Sequence, residues 1–243
     1  MAEFLIAHLY PELMDMQGDR GNLICLEKRI EWYGHKATII NYNLETNINF
    51  SQFDMLFMGG GSEREQDIVC QDLFNKKEAL SKSIESGLPI LFVSAAYQLL
   101  GTSYGTSAGN LKSGLDLFDF YTEIEDDRLI GNILTTTTID KETINIIGFE
   151  NHKGRTYFSD QNLQPFATVV KGYGNNGQDN TEGLKYNNLI GTYLHGPILP
   201  RNPILADFFI NKMFIAKNIK SVITLSDDLE EFAYDQIYEQ IST

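Results

Sequence analysis

The stretch Gly87-Leu88-Pro89-Ile90-Leu91-Phe92-Val93-Ser94-Ala95-Ala96-Tyr97-Gln98-Leu99-Leu100-Gly101 decides the fold. A Gly-x-Pro turn releases the apolar run Ile90 to Val93, which is too short for a stable helix and suits a strand buried on both faces of a parallel sheet. At Ser94 the pattern changes, and small residues followed by Tyr97, Gln98, Leu99 and Leu100 read as the first turns of a helix. Ser94 therefore stands at a strand-to-helix corner. Open α/β folds place a nucleophile at such a corner, at the carboxyl end of the sheet and within reach of helix N-terminal amides. A plain helix N-cap is the other role serine fills there, and the residues of this stretch leave both open.

The flanking sequence extends the same architecture. Phe4 to Leu9 reads as a first strand, and Asp15 to Asn22 as a polar loop punctuated by Gly18 and Gly21. Leu23, Leu26, Ile30 and Tyr33 then recur at helical spacing until Gly34. Lys36 to Tyr42 and Phe53 to Met58 give two more strands, and a helix is expected from Gln66 to Ser86. Strands alternating with helices in this order predict an α/β fold, a mostly parallel central sheet with helices on both faces. The second half is richer in β structure: Tyr104 to Gly114 reads as loop, and Leu129 to Ile139, Ile144 to Phe149, Phe166 to Lys171 and Leu189 to Leu194 as strands. Pro203 to Lys217 returns to helix. Residues 1–218 are expected to form one domain, and 219–243 an acidic C-terminal helical tail that either packs on that domain or docks a partner.

Composition narrows the function. The formal charge of −14 speaks against nucleic acid, which needs a basic surface. No run approaches a membrane span, so no membrane insertion is expected, and the N-terminus has no signal-peptide pattern. Two cysteines, Cys25 and Cys70, suit a reduced cytoplasmic protein. The four histidines show no metal-ligand spacing, and no metal is predicted.

Three polar, glycine-bearing segments remain besides the Ser94 corner. Gly59-Gly60-Gly61 follows a strand but lacks the Lys-Ser/Thr of a phosphate loop and the spacing of a dinucleotide fingerprint. Two amides, one from Gly60 or Gly61 and one from Ala95, would suit a developing oxyanion. Gly191-Thr192-Tyr193-Leu194-His195-Gly196-Pro197 ends a strand in a histidine, which becomes a candidate general base if it meets Ser94. Gly148 to Thr156 and Gly172 to Asn176 read either as ordinary turns or as the frame of a pocket.

Taken together with Ser62 to Gln66, Tyr97-Gln98, Arg128-Leu129-Ile130-Gly131 and the run through Pro200, these segments resemble the class I, triad-type glutamine amidotransferases of the cobyric-acid-synthase-like branch. Within that branch the likeness is to glutaminase subunits of lipid II isoglutaminyl synthases. The resemblance implies a flavodoxin-like domain that hydrolyses L-glutamine and passes ammonia to a MurT-like ATP-dependent ligase subunit, which amidates D-glutamate of the peptidoglycan stem. It implies a cytoplasmic heterodimer and no cofactor. Carried over by position, it makes Ser94 the nucleophile position and His195 its partner. Gly60, Gly61 and Ala95 become oxyanion donors, and Arg128 and Gln98 substrate-binding residues. Pro197 stands where many relatives have an acid that orients the histidine, so Asp19 is a candidate for that task.

One departure is central. The family has cysteine at position 94, usually followed by two glycines, whereas this chain has Ser94-Ala95-Ala96. A thiol of pKa about 8.5 can be held as thiolate by an imidazolium and an alcohol cannot. An inactivated glutaminase, a non-catalytic binding module and a serine-type hydrolase on the same scaffold are the readings this leaves open.

Overall fold

The computed structural model describes residues 1–220 and 223–242. In chain order the elements are β1 (Glu3–Leu9), α1 (Gly21–Trp32), β2 (Lys36–Tyr42), β3 (Met55–Met58), α2 (Glu63–Phe74), α3 (Lys77–Glu85), β4 (Ile90–Val93) and α4 (Ala95–Gln98). There follow β5 (Ser103–Gly105), β6 (Leu111–Ser113), β7 (Phe120–Ile139), β8 (Glu142–Phe158), β9 (Ala167–Lys171), β10 (Thr181–Glu182), β11 (Leu184–Tyr186) and β12 (Leu189–Thr192). The chain closes with α5 (Ile198–Arg201), α6 (Pro203–Ala216) and α7 (Asp228–Ser242).

The first sheet has the order β11-β12-β4-β3-β1-β2 and is parallel throughout except for β11 at its edge. Period-two alternation splits its residues between two cores. Leu56, Met58, Ile90 and Phe92 face α2 and α3, while Met55, Phe57, Leu91 and Val93 face α1 and α6. The α/β sheet covered on both faces, expected from the Ile90–Val93 run, is the architecture observed. The second sheet, β10-β9-β7-β5-β6 with β8 also paired to β7, carries most of the second half.

Several boundaries differ from the sequence reading. The helix expected over Gln66–Ser86 is two helices, α2 and α3, because the Lys76 amide bonds back to the Leu73 carbonyl and closes the first. Val69, Leu73, Leu80 and Ile84 stay buried across the break, so periodicity does not mark it. Ser62 and Glu65 form a reciprocal capping box at the start of α2. Tyr104–Gly114, expected as loop, contains β5 and β6, paired antiparallel, with the tip held by Glu63 through the Ser107 amide and hydroxyl. The strands expected at Leu129–Ile139 and Ile144–Phe149 are parts of one long hairpin, β7 and β8. It turns at Asp140-Lys141, where both residues have positive φ as a tight hairpin turn requires. A bulge between Ile124 and Leu129, carrying the exposed run Glu125 to Arg128, hides its outer half from pattern reading. Gly148–Thr156 is accordingly strand, not turn.

In the expected tail, α7 lies on the hairpin, with Ile241, Ile237, Tyr234 and Tyr238 packed against Leu134 and Ile147. Ser221, Val222 and Thr243 of that tail lie outside the described residues. Arg29, almost fully buried on α1, is bidentate to both Asp207 of α6 and Asp227 just before α7. No helix among the described residues is long and apolar enough to cross a membrane.

One buried group gives the sheet a pH dependence. His8 of β1 is buried, its Nε2 has no hydrogen-bond partner among the described residues, and burial pushes its pKa down to about 4. The unfolded chain protonates this ring from pH ~6.5 downward while the folded one resists until about 4, so stability falls as pH drops through that window. Removing the ring with His8→Gln should flatten urea-unfolding stability between pH ~6.5 and ~4 by up to about 1.4 kcal/mol per pH unit. An unchanged slope would show that other groups set it.

Candidate active site

Three loops leaving the carboxyl ends of β1, β3 and β12 meet the turn after β4. That turn is strained: Ser94 has φ 57° and ψ −115°, a conformation L-residues rarely adopt. Two backbone bonds hold it, from the Ser94 amide to the Thr192 carbonyl (2.8 Å) and from the Gln98 amide to the Ser94 carbonyl (3.1 Å). Ser94 occupies the N-cap position of α4, yet its side chain makes no capping bond. The hydroxyl is thus turned away from the task serine ordinarily performs at a helix start.

Opposite it stands His195. Its main chain is bridged to Phe149 of β8 by a bond in each direction, and its ring Nδ1 lies 3.2 Å from Asp19 Oδ1. Asp19 and His195 are buried, and His195 Nε2 has no hydrogen-bond partner among the described residues. The second oxygen of Asp19 accepts the Gly60 amide at 3.3 Å. One carboxylate therefore ties the β1 loop to both the glycine turn and the histidine.

Two of the three consecutive glycines, Gly59 and Gly61, are required by close approach. A methyl at Gly59 would lie 2.7 Å from the Met14 carbonyl oxygen, and one at Gly61 2.6 Å from that of Leu13. At Gly60 it would sit 3.2 Å from Ser94 Cβ, 3.4 Å from Ser94 Oγ and 3.6 Å from His195 Cε1. The space beside Gly60 is thus bordered by the hydroxyl and the imidazole together, although about a hundred residues of sequence separate them.

The remaining sequence candidates are distributed unevenly. Ala95 begins α4 immediately after Ser94. Gly60 spends its amide on Asp19, which among the two glycines leaves that of Gly61. Gln98 is buried one turn behind Ser94, its oxygen accepting from Gln66 (2.9 Å) and its nitrogen donating to the Tyr193 hydroxyl (3.0 Å). It braces the turn from behind, with both ends of its amide engaged in these internal bonds. Arg128 lies exposed at the bulge of β7 with Nη1 donating to Asn151, and makes no ion pair among the described residues. No hydrogen bond or ion pair among the described residues joins it to Ser94 or His195.

Two buried carboxyls near the site were not singled out from sequence. Glu150 of β8 accepts the amides of Tyr173 and Gly174, fixing the Gly172–Asn176 turn, and Glu182 of β10 accepts from Thr192 and Tyr193. As single acids without a spacing relation to His195 they carried no pattern. The only available signal was their position between or beside glycines in β-rich sequence.

The chain is similar to known proteins at three levels. The family profile of the CobB/CobQ-like glutamine amidotransferase domain matches residues 5–203. The GatD subunit of lipid II isoglutaminyl synthase (glutamine-hydrolyzing) from Staphylococcus aureus N315 is 40% identical over 220 residues, 90% of this chain and 88% of that protein. The GatD subunit from Streptococcus pneumoniae R6 is 36% identical over 236 residues, 97% of this chain and 87% of that protein. In fold, the glutaminase domain of Trypanosoma brucei CTPS superposes with a TM-score of 0.56 at 16% identity, covering 90% of this chain and 96% of that domain.

The packing of the glycine turn makes a separable prediction. Gly59→Ala and Gly61→Ala, whose methyls meet backbone oxygens, should each lower stability by about 1–3 kcal/mol in chemical denaturation. Gly60→Ala should cost less than either while closing the space between Ser94 and His195, so it separates folding from chemistry.

Proposed function

Because the chain belongs to the CobB/CobQ-like glutamine amidotransferase family, we propose that it is the glutaminase subunit of a lipid II isoglutaminyl synthase. In this reading it hydrolyses L-glutamine and delivers ammonia to a MurT-like ATP-dependent ligase subunit in the cytoplasm, as part of peptidoglycan synthesis. The observation that carries it is the junction of Asp19, His195, Gly60 and Ser94 within a chain that matches GatD subunits over most of its length.

The chemistry follows from the hydrogen bonds. With Asp19 accepting from Nδ1–H, the lone pair of His195 lies on the unpartnered Nε2, which can take a proton from the group at position 94. The freed oxygen of Ser94 attacks the carboxamide carbon of glutamine, and the C=O electrons move onto oxygen. The amides of Ala95 and Gly61 are the donors proposed for that oxyanion. Collapse breaks the C–N bond, with His195 Nε2–H giving its proton to the departing nitrogen so that it leaves as ammonia. Water, deprotonated by the same imidazole, then cleaves the ester and returns Ser94. Arg128, without an ion pair among the described residues, is proposed to hold the substrate carboxylate.

A second reading is favoured by Ser94 itself: the subunit docks its partner and turns over little glutamine. The two separate on one substitution. Ser94→Cys, assayed with the partner ligase, should raise ammonia release by about 10² or more, because a thiolate is accessible beside an imidazolium and an alkoxide is not. No detectable hydrolysis by folded Ser94→Cys would leave only the docking role. In that background Asp19→Asn should lower kcat by about 10² or more with folding retained, and Arg128→Ala should raise KM by at least about 10-fold with a smaller change in kcat. Equal losses in both parameters for Arg128→Ala would remove it from the substrate site.

A further inference from the structure

The strand β12 stops short of His195, and what stops it is a side chain from the other sheet. After Thr192 the next two amides leave the ladder. The Tyr193 amide donates to Glu182 Oε1 at 3.0 Å, and the Leu194 amide donates to Thr192 Oγ1 at 3.0 Å. The Thr192 hydroxyl, so oriented, donates its own proton to the same Glu182 oxygen. Glu182 belongs to β10, which pairs with β9 in the second sheet, so its carboxyl reaches across the junction of the two sheets. It is fully buried, and Oε2 has no hydrogen-bond partner among the described residues.

Both reacting groups depend on the segment it captures. The Thr192 carbonyl accepts the Ser94 amide at 2.8 Å, and Thr192 is in register with Val93, the residue before the strained turn. Tyr193 sends its ring onto His152, with centroids 3.8 Å apart, and its hydroxyl to Gln98 and Thr156. His195 follows two residues later. We propose that Glu182 is a positioning residue for this site: by taking the donors of Thr192 and Tyr193 it ends β12 and sets His195 against Ser94. The inference rests on the reading of those two side chains as the reacting pair.

The carboxyl works in its protonated form. Burial pushes its pKa up to about 8, against the bonds from Thr192 and Tyr193, and the nearby Glu150 carboxylate of β8 pushes the same way. The other titratable groups facing it are the phenols of Tyr97 on α4 and Tyr193, both pushed above their ordinary range by burial, so they stay neutral while Glu182 ionises. Above about pH 8 a charge appears in a closed space beside a second carboxylate, carried on a carboxyl that holds the Thr192 and Tyr193 donors through one oxygen only.

The test reads the imidazole directly. In the native chain the His195 Cε1–H resonance, followed by 1H–13C NMR, should show a step with midpoint near pH 8 that is absent in Glu182→Gln. With Ser94→Cys and the partner ligase, Thr192→Val and Glu182→Leu should lower kcat by about 10²-fold and change KM little, as expected of a misplaced catalytic group. Glu182→Gln, which keeps the shape and an acceptor oxygen, should recover most of that loss and lack the alkaline decline in kcat. If Glu182→Leu does not fold, Thr192→Val and Glu182→Gln decide the matter. A His195 resonance that keeps its step in Glu182→Gln, or a folded Thr192→Val with native kcat and native His195 shift, overturns the proposal. If Ser94→Cys hydrolyses nothing, the glutaminase reading falls, and the NMR arm still determines whether Glu182 sets His195.

Discussion

The arrangement depends on one buried carboxylate. Asp19 has almost no contact with water, and its oxygens are directed to His195 Nδ1 and the Gly60 amide. A carboxylate out of water is costly unless its oxygens are hydrogen-bonded, so the loop after β1 is stable only where the glycine turn after β3 and the histidine after β12 are both present. This couples three strand ends into one structure. It also leaves the other ring nitrogen, Nε2, without a hydrogen-bond partner among the described residues.

Strain at Ser94 is the complementary element. A non-glycine residue at φ 57° costs on the order of 1–3 kcal/mol and persists only where its surroundings over-determine it. Here the determinants are the Thr192 carbonyl on one side and the first turn of α4 on the other, with Gln66, Gln98, Tyr193, Thr156 and Thr122 forming a buried chain of hydrogen bonds behind them. Such a chain is strong when every member is satisfied. It runs from the capped helix α2 to the hairpin β7–β8, so the second sheet is part of the support of the site in the first. The C-terminal helix is fastened separately: Arg29 pairs with Asp207 and Asp227 and joins the lead-in to α7 to α1 and α6, on the far side of the sheet from α2 and α3.

The parts legible in the sequence were those with local causes. The buried run Ile90–Val93, the corner at Ser94, the triple glycine and the helix of Pro203 were readable because burial on two faces, a strand-to-helix switch and close backbone approach each leave a mark within a few residues. The break between α2 and α3 left the apolar phase intact. The long hairpin was masked by the charged bulge Glu125 to Arg128, which is polar because it faces solvent and not because the strand ends there.

By itself the sequence determined the doubly covered parallel sheet and the position of Ser94 at its carboxyl end, since these follow from hydrophobic period and local turn geometry, and its motifs carried the resemblance to the family. Only the tertiary structure decided that Asp19 meets His195, that Gly60 gives its amide to that carboxylate, that Gln98 is bound internally, and that Glu182 ends β12. Each of those is a hydrogen bond between residues far apart in the chain, and the burial of a polar group chooses its partner by position in space, which no periodicity records.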